Sequence, residues 1–413
     1  MANINRLLNI ALRGGTLAAK FGLLAVLAIL LPPEDVGYYG LLTATIGWTM
    51  YLVGWEFYTF SMRDIIARGS SDIRQIVRDQ SVLYGLTYLL VSPIVLLVFA
   101  TGILPVHYAF WFALLLVLEH LGLEIGRTLL ALSRPLLAGF MLFLRGGAWC
   151  IVVAGALAVF PSLRHLDFVF ACWTAGSTAG LVVGLASLWR MSGEQAFGAI
   201  SWRWIARGLG VALPMMLASL AVRGIFTIDR FWVEAIGGAG VLGAYVLFVG
   251  VATAVLSFVD AGIVDFAYPR VIRAARSGAA ADFSREMRRL GWSVGAAVLL
   301  LSLVCWLGFT LFIGFLPNPI YAQNAGLLPP IILAIAFYGI STVPHVGLYA
   351  HGRDLIIVAS QLVGLAVFVL TMVTAQSAMG VAVVPVALLA AFGVILLWKS
   401  LAYLVLRREL RGK

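Results

Sequence analysis

The chain has 413 residues, of which 62% are apolar and only 11% charged, and its mean hydropathy is +1.03. A water-soluble domain is about 45–50% apolar and about 25% charged, so most of this surface is not made for water. The net charge of +10 comes with no basic soluble domain to carry it, which excludes nucleic-acid binding and ties the cations to topology and to anionic lipid.

A crossing helix needs about 20 mostly apolar residues. The pattern predicts twelve of them, at 10–32, 37–62, 81–103, 107–131, 137–160, 167–189, 208–236, 241–267, 291–316, 327–350, 355–375 and 379–405. The first ends at Pro32-Pro33 without a small-residue cleavage site and further spans follow, so it reads as a helix and not as a signal peptide. It carries Arg13 and Lys20. From Phe21 to Leu31 a helix rises only about 16 Å, far short of a core roughly 30 Å thick. A full span therefore draws Lys20 to near mid-depth and leaves Arg13 near the inner interface. A charge at mid-bilayer costs about 2.5–3.5 kcal/mol on insertion scales, so Lys20 is expected to face a cavity, while Arg13 either snorkels or joins it.

The second span carries Glu56, and the fourth carries Glu119, His120, Glu124 and Arg127. Residues 120, 124 and 127 share one helix face, which cannot face lipid. Arg145 on the fifth span reaches a depth similar to Glu124 and is expected either to pair with it or to meet a substrate. Gly176, Gly180 and Gly184 on the sixth form a ridge for close helix packing. The seventh span holds Pro214, Arg223 and Asp229-Arg230, the eighth Asp260, and the tenth Pro344. The two prolines are expected to bend their helices, and Asp229-Arg230 reads as a feature of a helix end.

Of the 28 Lys and Arg, 20 lie in the tails and loops on one side, whereas the opposite loops hold only Arg164. The positive-inside rule makes the rich side cytoplasmic, with both termini there, and an inner membrane is the expected location. Val36-Gly37-Tyr38-Tyr39 precedes a span and then Arg63 and Arg68, and 206 residues later Leu242-Gly243-Ala244-Tyr245 precedes a span and then Arg270 and Arg273. Two six-helix lobes are expected, 1–190 and 208–413, joined by a linker at 191–207 that lies along the inner headgroups on Trp202 and Trp204. Since both copies would start in the cytoplasm, they read as parallel repeats around a central cavity; a chance likeness of two Gly-x-Tyr turns is the other reading. In this register Arg223 falls one turn from Lys20, and Glu56 and Asp260 fall at nearly equivalent places. The two carboxylates either exchange protons for coupling or neutralise arginines. The fold class is thus an all-α polytopic membrane protein.

Cys150, Cys172 and Cys305 lie within spans, where they read as packing thiols. The five histidines are scattered, and there is no phosphate-cradling Gly-x-x-x-x-Gly-Lys or metal-spaced carboxylate cluster. No enzyme chemistry, ATPase motor, cofactor or metal is expected.

Leu31-Pro-Pro-Glu-Asp-Val-Gly-Tyr-Tyr-Gly40 and Gly54-Trp-Glu-Phe-Tyr-Thr-Phe-Ser-Met-Arg63 resemble the opening hairpin of the polysaccharide-biosynthesis flippases, within the multidrug/oligosaccharidyl-lipid/polysaccharide exporter superfamily. Glu124-x-x-Arg127, Ser133-Arg-Pro135 and Arg145-x-x-x-Trp149 look like the fourth and fifth helices of one branch, and Asp229-Arg230 with Gly243-x-Tyr245 like its seventh and eighth. The resemblance implies two lobes around a cavity that opens alternately to each side, and a lipid-linked oligosaccharide, usually on undecaprenyl diphosphate, as cargo. Membrane lipids, and a polysaccharide polymerase with its chain-length proteins, are the implied partners. Lys20, Arg223, Arg145 and Arg13 would then meet the diphosphate, because fixed cations in a low dielectric hold a diphosphate strongly. Glu56, Glu119, Glu124 and Asp260 would serve coupling or ion pairing. A drug or metabolite antiporter of the same superfamily and a non-transporting scaffold of a polysaccharide-synthesis complex are the rival readings.

Overall fold

The computed structural model describes residues 2–68, 73–100, 102–191 and 198–411. Among these the chain is all helix and turn, with no strand. Nine stretches are long and apolar enough to cross a bilayer; two of them each hold two helices, broken at Gly238 and Gly380, and a further apolar helix, Pro33–Gly54, completes a set of twelve. In lipid only helices and closed barrels satisfy their own backbone groups, so a chain this apolar has no other way to fold within a membrane.

The chain forms two compact units, Met1–Leu31 with Tyr38–Met216, and Pro32–Gly37 with Leu217–Lys413. The first unit contains α1 (Ala2–Leu30), most of α2 (Pro33–Gly54), α3 (Tyr58–Arg68), α4 (Ile73–Ala100), α5 (Ala109–Ala131), α6 (Pro135–Phe143), α7 (Trp149–Val159) and α8 (Leu166–Met191). Proline at the first helical position, where no intrahelical donor is lost, starts α2 and α6. Glu34 and Asp35 in the first turn of α2 suit its positive end.

The expected second span at 37–62 is not one helix. It ends at Gly54, and Trp55 and Glu56 then take φ of 52° and 54° before α3 begins. A left-handed pair of bulky residues is strained, and its surroundings hold it there. A side chain on Gly54 would meet His120 Nε2 at 2.9 Å, and Thr87 donates its hydroxyl to the Val53 carbonyl at 2.9 Å. The fifth crossing is α6 and α7 joined through a π-helical turn at Leu144–Ala148. The sixth packs as expected: side chains at Gly176, Gly180 and Gly184 would collide with Trp149, with the Met141 carbonyl and with Ile125.

Of the linker expected at 191–207, residues 192–197 lie outside the described residues. Trp204 is buried against Phe57 and Phe60, and donates its indole N–H to Asp64 at 2.6 Å. Trp202 is exposed and opens α9.

α9 (Trp202–Val259) starts in the first unit and belongs to the second from Leu217 on, and it holds two arms on either side of Gly238, whose φ of 79° and ψ of 172° only glycine adopts readily. The helix runs on through Pro214. A π-helical turn at Asp260–Val264 leads to α10 (Asp265–Arg276), followed by α11 (Ala280–Phe312), α12 (Ile320–Gln323), α13 (Leu328–Ala350), α14 (Asp354–Met379) and α15 (Val383–Arg411). The Gly37 and Gly243 of the two Gly-x-Tyr turns meet inside this unit: a side chain on Gly37 would approach the Gly243 nitrogen at 3.1 Å, and one on Gly243 would collide with the Pro33 carbonyl. Asp229 is wholly buried and accepts the Tyr245 hydroxyl at 2.7 Å. It is therefore no helix-end feature, but a brace between the two arms of α9.

Candidate functional site

Arg13, Thr16 and Lys20 sit at i, i+3 and i+7 on one face of α1. That face lies against the π-helical turn, where glycine allows the approach. A side chain on Gly146 would touch Thr16 at 3.2 Å and the Lys20 amine at 3.3 Å, and one on Gly147 would meet the Thr16 Cα at 3.1 Å. π-helical turns occur often at functional sites. Lys20 is exposed and has no ion pair among the described residues. Its amine lies near the thiol of the buried Cys150.

One or two turns along, Arg13 from α1, Arg127 from α5 and Arg145 from the π-helical turn line a single cavity of about 110 Å³, with Gly122 and Gly126 in its wall. That is room for several waters or a small anionic group. The two carboxylates at its back are each saturated. Glu119 faces Arg145 Nη1 at 3.3 Å and accepts the Trp173 indole N–H at 2.9 Å and the Ser177 hydroxyl at 2.6 Å. Arg145 also donates to the Glu119 backbone carbonyl at 2.6 Å. Glu124 pairs with Arg127 at 2.5 Å and accepts Gln80 Nε2 at 2.8 Å and the Tyr84 hydroxyl at 2.6 Å.

The expected Glu124–Arg145 pair is thus replaced by two others, Glu119–Arg145 and Glu124–Arg127. Glu119 lies five residues before Glu124 and so points elsewhere around α5, toward α8, and the π-helical turn delivers Arg145 to it. The shared face of His120, Glu124 and Arg127 does hold together: Tyr84 packs edge-on to His120 at 4.6 Å while its hydroxyl reaches Glu124, and Tyr88 bonds His120 Nδ1 at 2.8 Å. The Arg127 guanidinium also lies 3.5 Å over the ring of Tyr58, which faces Glu56 as well.

The first unit therefore gathers Arg13, Lys20, Glu56, Glu119, Glu124 and Arg145. Arg223 and Asp260 belong to the second. Arg223 is exposed on α9 near Tyr338, and Asp260 is exposed beside Asp265 at the π-helical turn. Neither Glu56, buried at 5% exposure, nor Asp260 neutralises an arginine through an ion pair among the described residues.

Sequence reasoning passed over Lys399 on α15. It is 2% exposed, lies near His345 of α13, and has no carboxylate partner among the described residues. Its flanks, Ile395-Leu-Leu-Trp398 and Leu401-Ala-Tyr-Leu-Val405, carried the same signal that marked Lys20. Among the described residues no group of His, Cys, Asp and Glu could hold a metal.

No family model and no curated protein matches the sequence. Solved structures do match along nearly the whole chain. An inward-facing multidrug resistance MATE family transporter of the MOP superfamily aligns at 12% identity over 98% of this chain and 96% of its own, with a TM-score of 0.64. An outward-facing structure described in the same words aligns at 13% over 99% and 96%, with a TM-score of 0.61. The Vibrio cholerae MATE transporter VcmN in its bent form aligns at 14% over 98% of each chain, with a TM-score of 0.58. The chain has the fold of these transporters.

Proposed function

We propose that this protein is an alternating-access membrane transporter that moves an anionic, lipid-linked cargo, a polyprenyl-diphosphate oligosaccharide, from the cytoplasmic to the outer leaflet of a bacterial inner membrane, with both termini in the cytoplasm. The observation that carries the reading is the cavity lined by Arg13, Arg127 and Arg145, beside an exposed Lys20 on the same face of α1 as Arg13. A diphosphate is recognised by clustered guanidinium and ammonium donors, and an apolar surround strengthens that attraction. The arginine-carboxylate pairs keep the cavity folded while no cargo is bound, and Lys20, with no carboxylate partner among the described residues, supplies attraction that a ligand can use. Alternating access is supported by the likeness to transporters solved in inward-facing and outward-facing forms.

A drug antiporter is the second reading, and the words "multidrug resistance" on two of the matched structures favour it. A cationic drug entering this cavity would meet three arginines, which oppose it by charge. The two readings separate in a binding assay on the purified protein. A short-chain polyprenyl diphosphate should raise Tm in a concentration-dependent way and ethidium should not. Stabilisation by ethidium with none by the diphosphate would favour the antiporter.

A further inference from the structure

A second cavity, of about 460 Å³, opens in the first unit between the start of α4 and the end of α8. Ile73, Val77, Leu185 and Leu188 give it apolar walls, and Arg74, Arg78, Ser81 and Trp189 complete it. Ile73 and Leu188 are buried floor residues, whereas Leu185 and Trp189 are exposed. Two apolar stripes run into it along the helices. On α4, Leu89 and Leu96 are exposed on the same helix face as Arg78, and on α8 Val182, Leu185 and Trp189 are exposed at helical spacing. In a membrane-spanning chain such stripes face acyl chains. At their ends the lining changes to arginine and tryptophan, the residue types that sit at headgroup level.

We infer that this groove is a binding site for an anionic glycerophospholipid such as phosphatidylglycerol, its phosphodiester held by Arg74 and Arg78 and its acyl chains lying along the α4 and α8 stripes. The chemistry fits in three respects. The Arg74 guanidinium lies over the Trp189 ring, 5.2 Å from its centre, a contact made by the guanidinium face, so that the in-plane N–H groups are the part that bonds acceptors. Arg78 is held in place by Asp79 at 2.6 Å and by the carbonyls of Gly198 and Ala199. Asp79 is itself fixed by Gln75 at 2.9 Å and by the Ser201 N–H at 3.2 Å, so the cationic rim is built before any lipid arrives. Basic pockets between crossing helices on the cytoplasmic side are suited to acidic headgroups, and a groove continuous with lipid-facing stripes accepts a two-chain lipid without removing its tails from the bilayer. This site is separate from the three-arginine cavity, so the inference does not depend on what the protein transports.

The full chain, reconstituted in nanodiscs of phosphatidylglycerol and phosphatidylethanolamine and then released for native mass spectrometry, gives the test. Wild type should retain phosphatidylglycerol in preference to phosphatidylethanolamine, and Arg74→Ala should lose that preference at least fivefold. Arg285→Ala, which removes a surface arginine paired with Asp282, should keep it. Ser81→Trp should also lose the bound lipid, since it fills the groove and leaves both arginines in place; this covers the case in which Arg74→Ala does not fold. Excess inorganic phosphate should not displace the lipid, because the tails contribute to binding. Equal retention by wild type and both groove variants would overturn the inference, as would an equal loss in Arg285→Ala or retention of a polyprenyl phosphate in place of phosphatidylglycerol.

Discussion

At the scale of single residues, the charges within the spans separate into buried ion pairs and cations with no ion pair among the described residues. Arg145 and Glu119 are both buried and complete each other's hydrogen bonding. Arg145→Ala would strand a carboxylate beside an apolar wall, so it should lower stability in detergent by about 3–5 kcal/mol and reduce transport through lost folding. Lys20, exposed and with no ion pair among the described residues, should behave in the opposite way. Lys20→Ala should leave Tm nearly unchanged and abolish transport, and Lys20→Arg should keep part of it, since the charge is retained but the donor geometry is not. A fall in Tm for Lys20→Ala matching that for Arg145→Ala would count against the distinction. Lys399 makes a third case, a buried ammonium without a carboxylate partner among the described residues. Burying such a group is costly, so Lys399→Met should raise stability by on the order of 2 kcal/mol, read as a rise in Tm. A fall would mean that the amine has a ligand.

At the scale of elements, the interruptions are the informative places. The Trp55-Glu56 reversal falls 206 residues before the neighbourhood of the Asp260–Val264 π-helical turn, so each proposed repeat breaks its helix at a similar position. Hydropathy located both helices but not the breaks, because an apolar run reads the same whether it is straight or interrupted. The π-helical turn at Leu144–Ala148 was equally illegible, and with it went the partner of Arg145: one extra residue in a turn changes which carboxylate an arginine can reach. The Gly-x-Tyr turns were legible as motifs, yet their packing was not. Gly37 lies against Ala239 and Gly243, and Gly243 against the Pro33 carbonyl, and Tyr245 braces Asp229. Gly243→Val should therefore destabilise the protein by about 1–3 kcal/mol through overpacking, measured as a fall in Tm, while Gly262→Ala in the π-helical turn, where a side chain meets open space, should have little effect. Equal effects would show that the close approach at Gly243 carries no weight.

At the scale of the whole molecule, composition identified a membrane protein and the lengths of its apolar runs gave twelve crossings, because bilayer thickness ties span length to sequence. The gathering of Arg13, Arg127 and Arg145 around one cavity was legible only in part, since depth can be counted along a helix but azimuth between helices cannot. Orientation rests on the loop cations, 20 against one. A cysteine introduced at Ala280 should thus be shielded from an impermeant thiol reagent in intact cells, and one at Ser162 should be labelled; the reverse pattern would invert the topology. The central claim, that intramembrane cations carry an anionic lipid-linked cargo, is tested most directly by transport in proteoliposomes. Flipping of a labelled polyprenyl-diphosphate sugar by wild type should fall to background in the Lys20→Ala, Arg223→Ala double variant at equal protein abundance and Tm. Flipping at the wild-type rate by that variant would contradict the account.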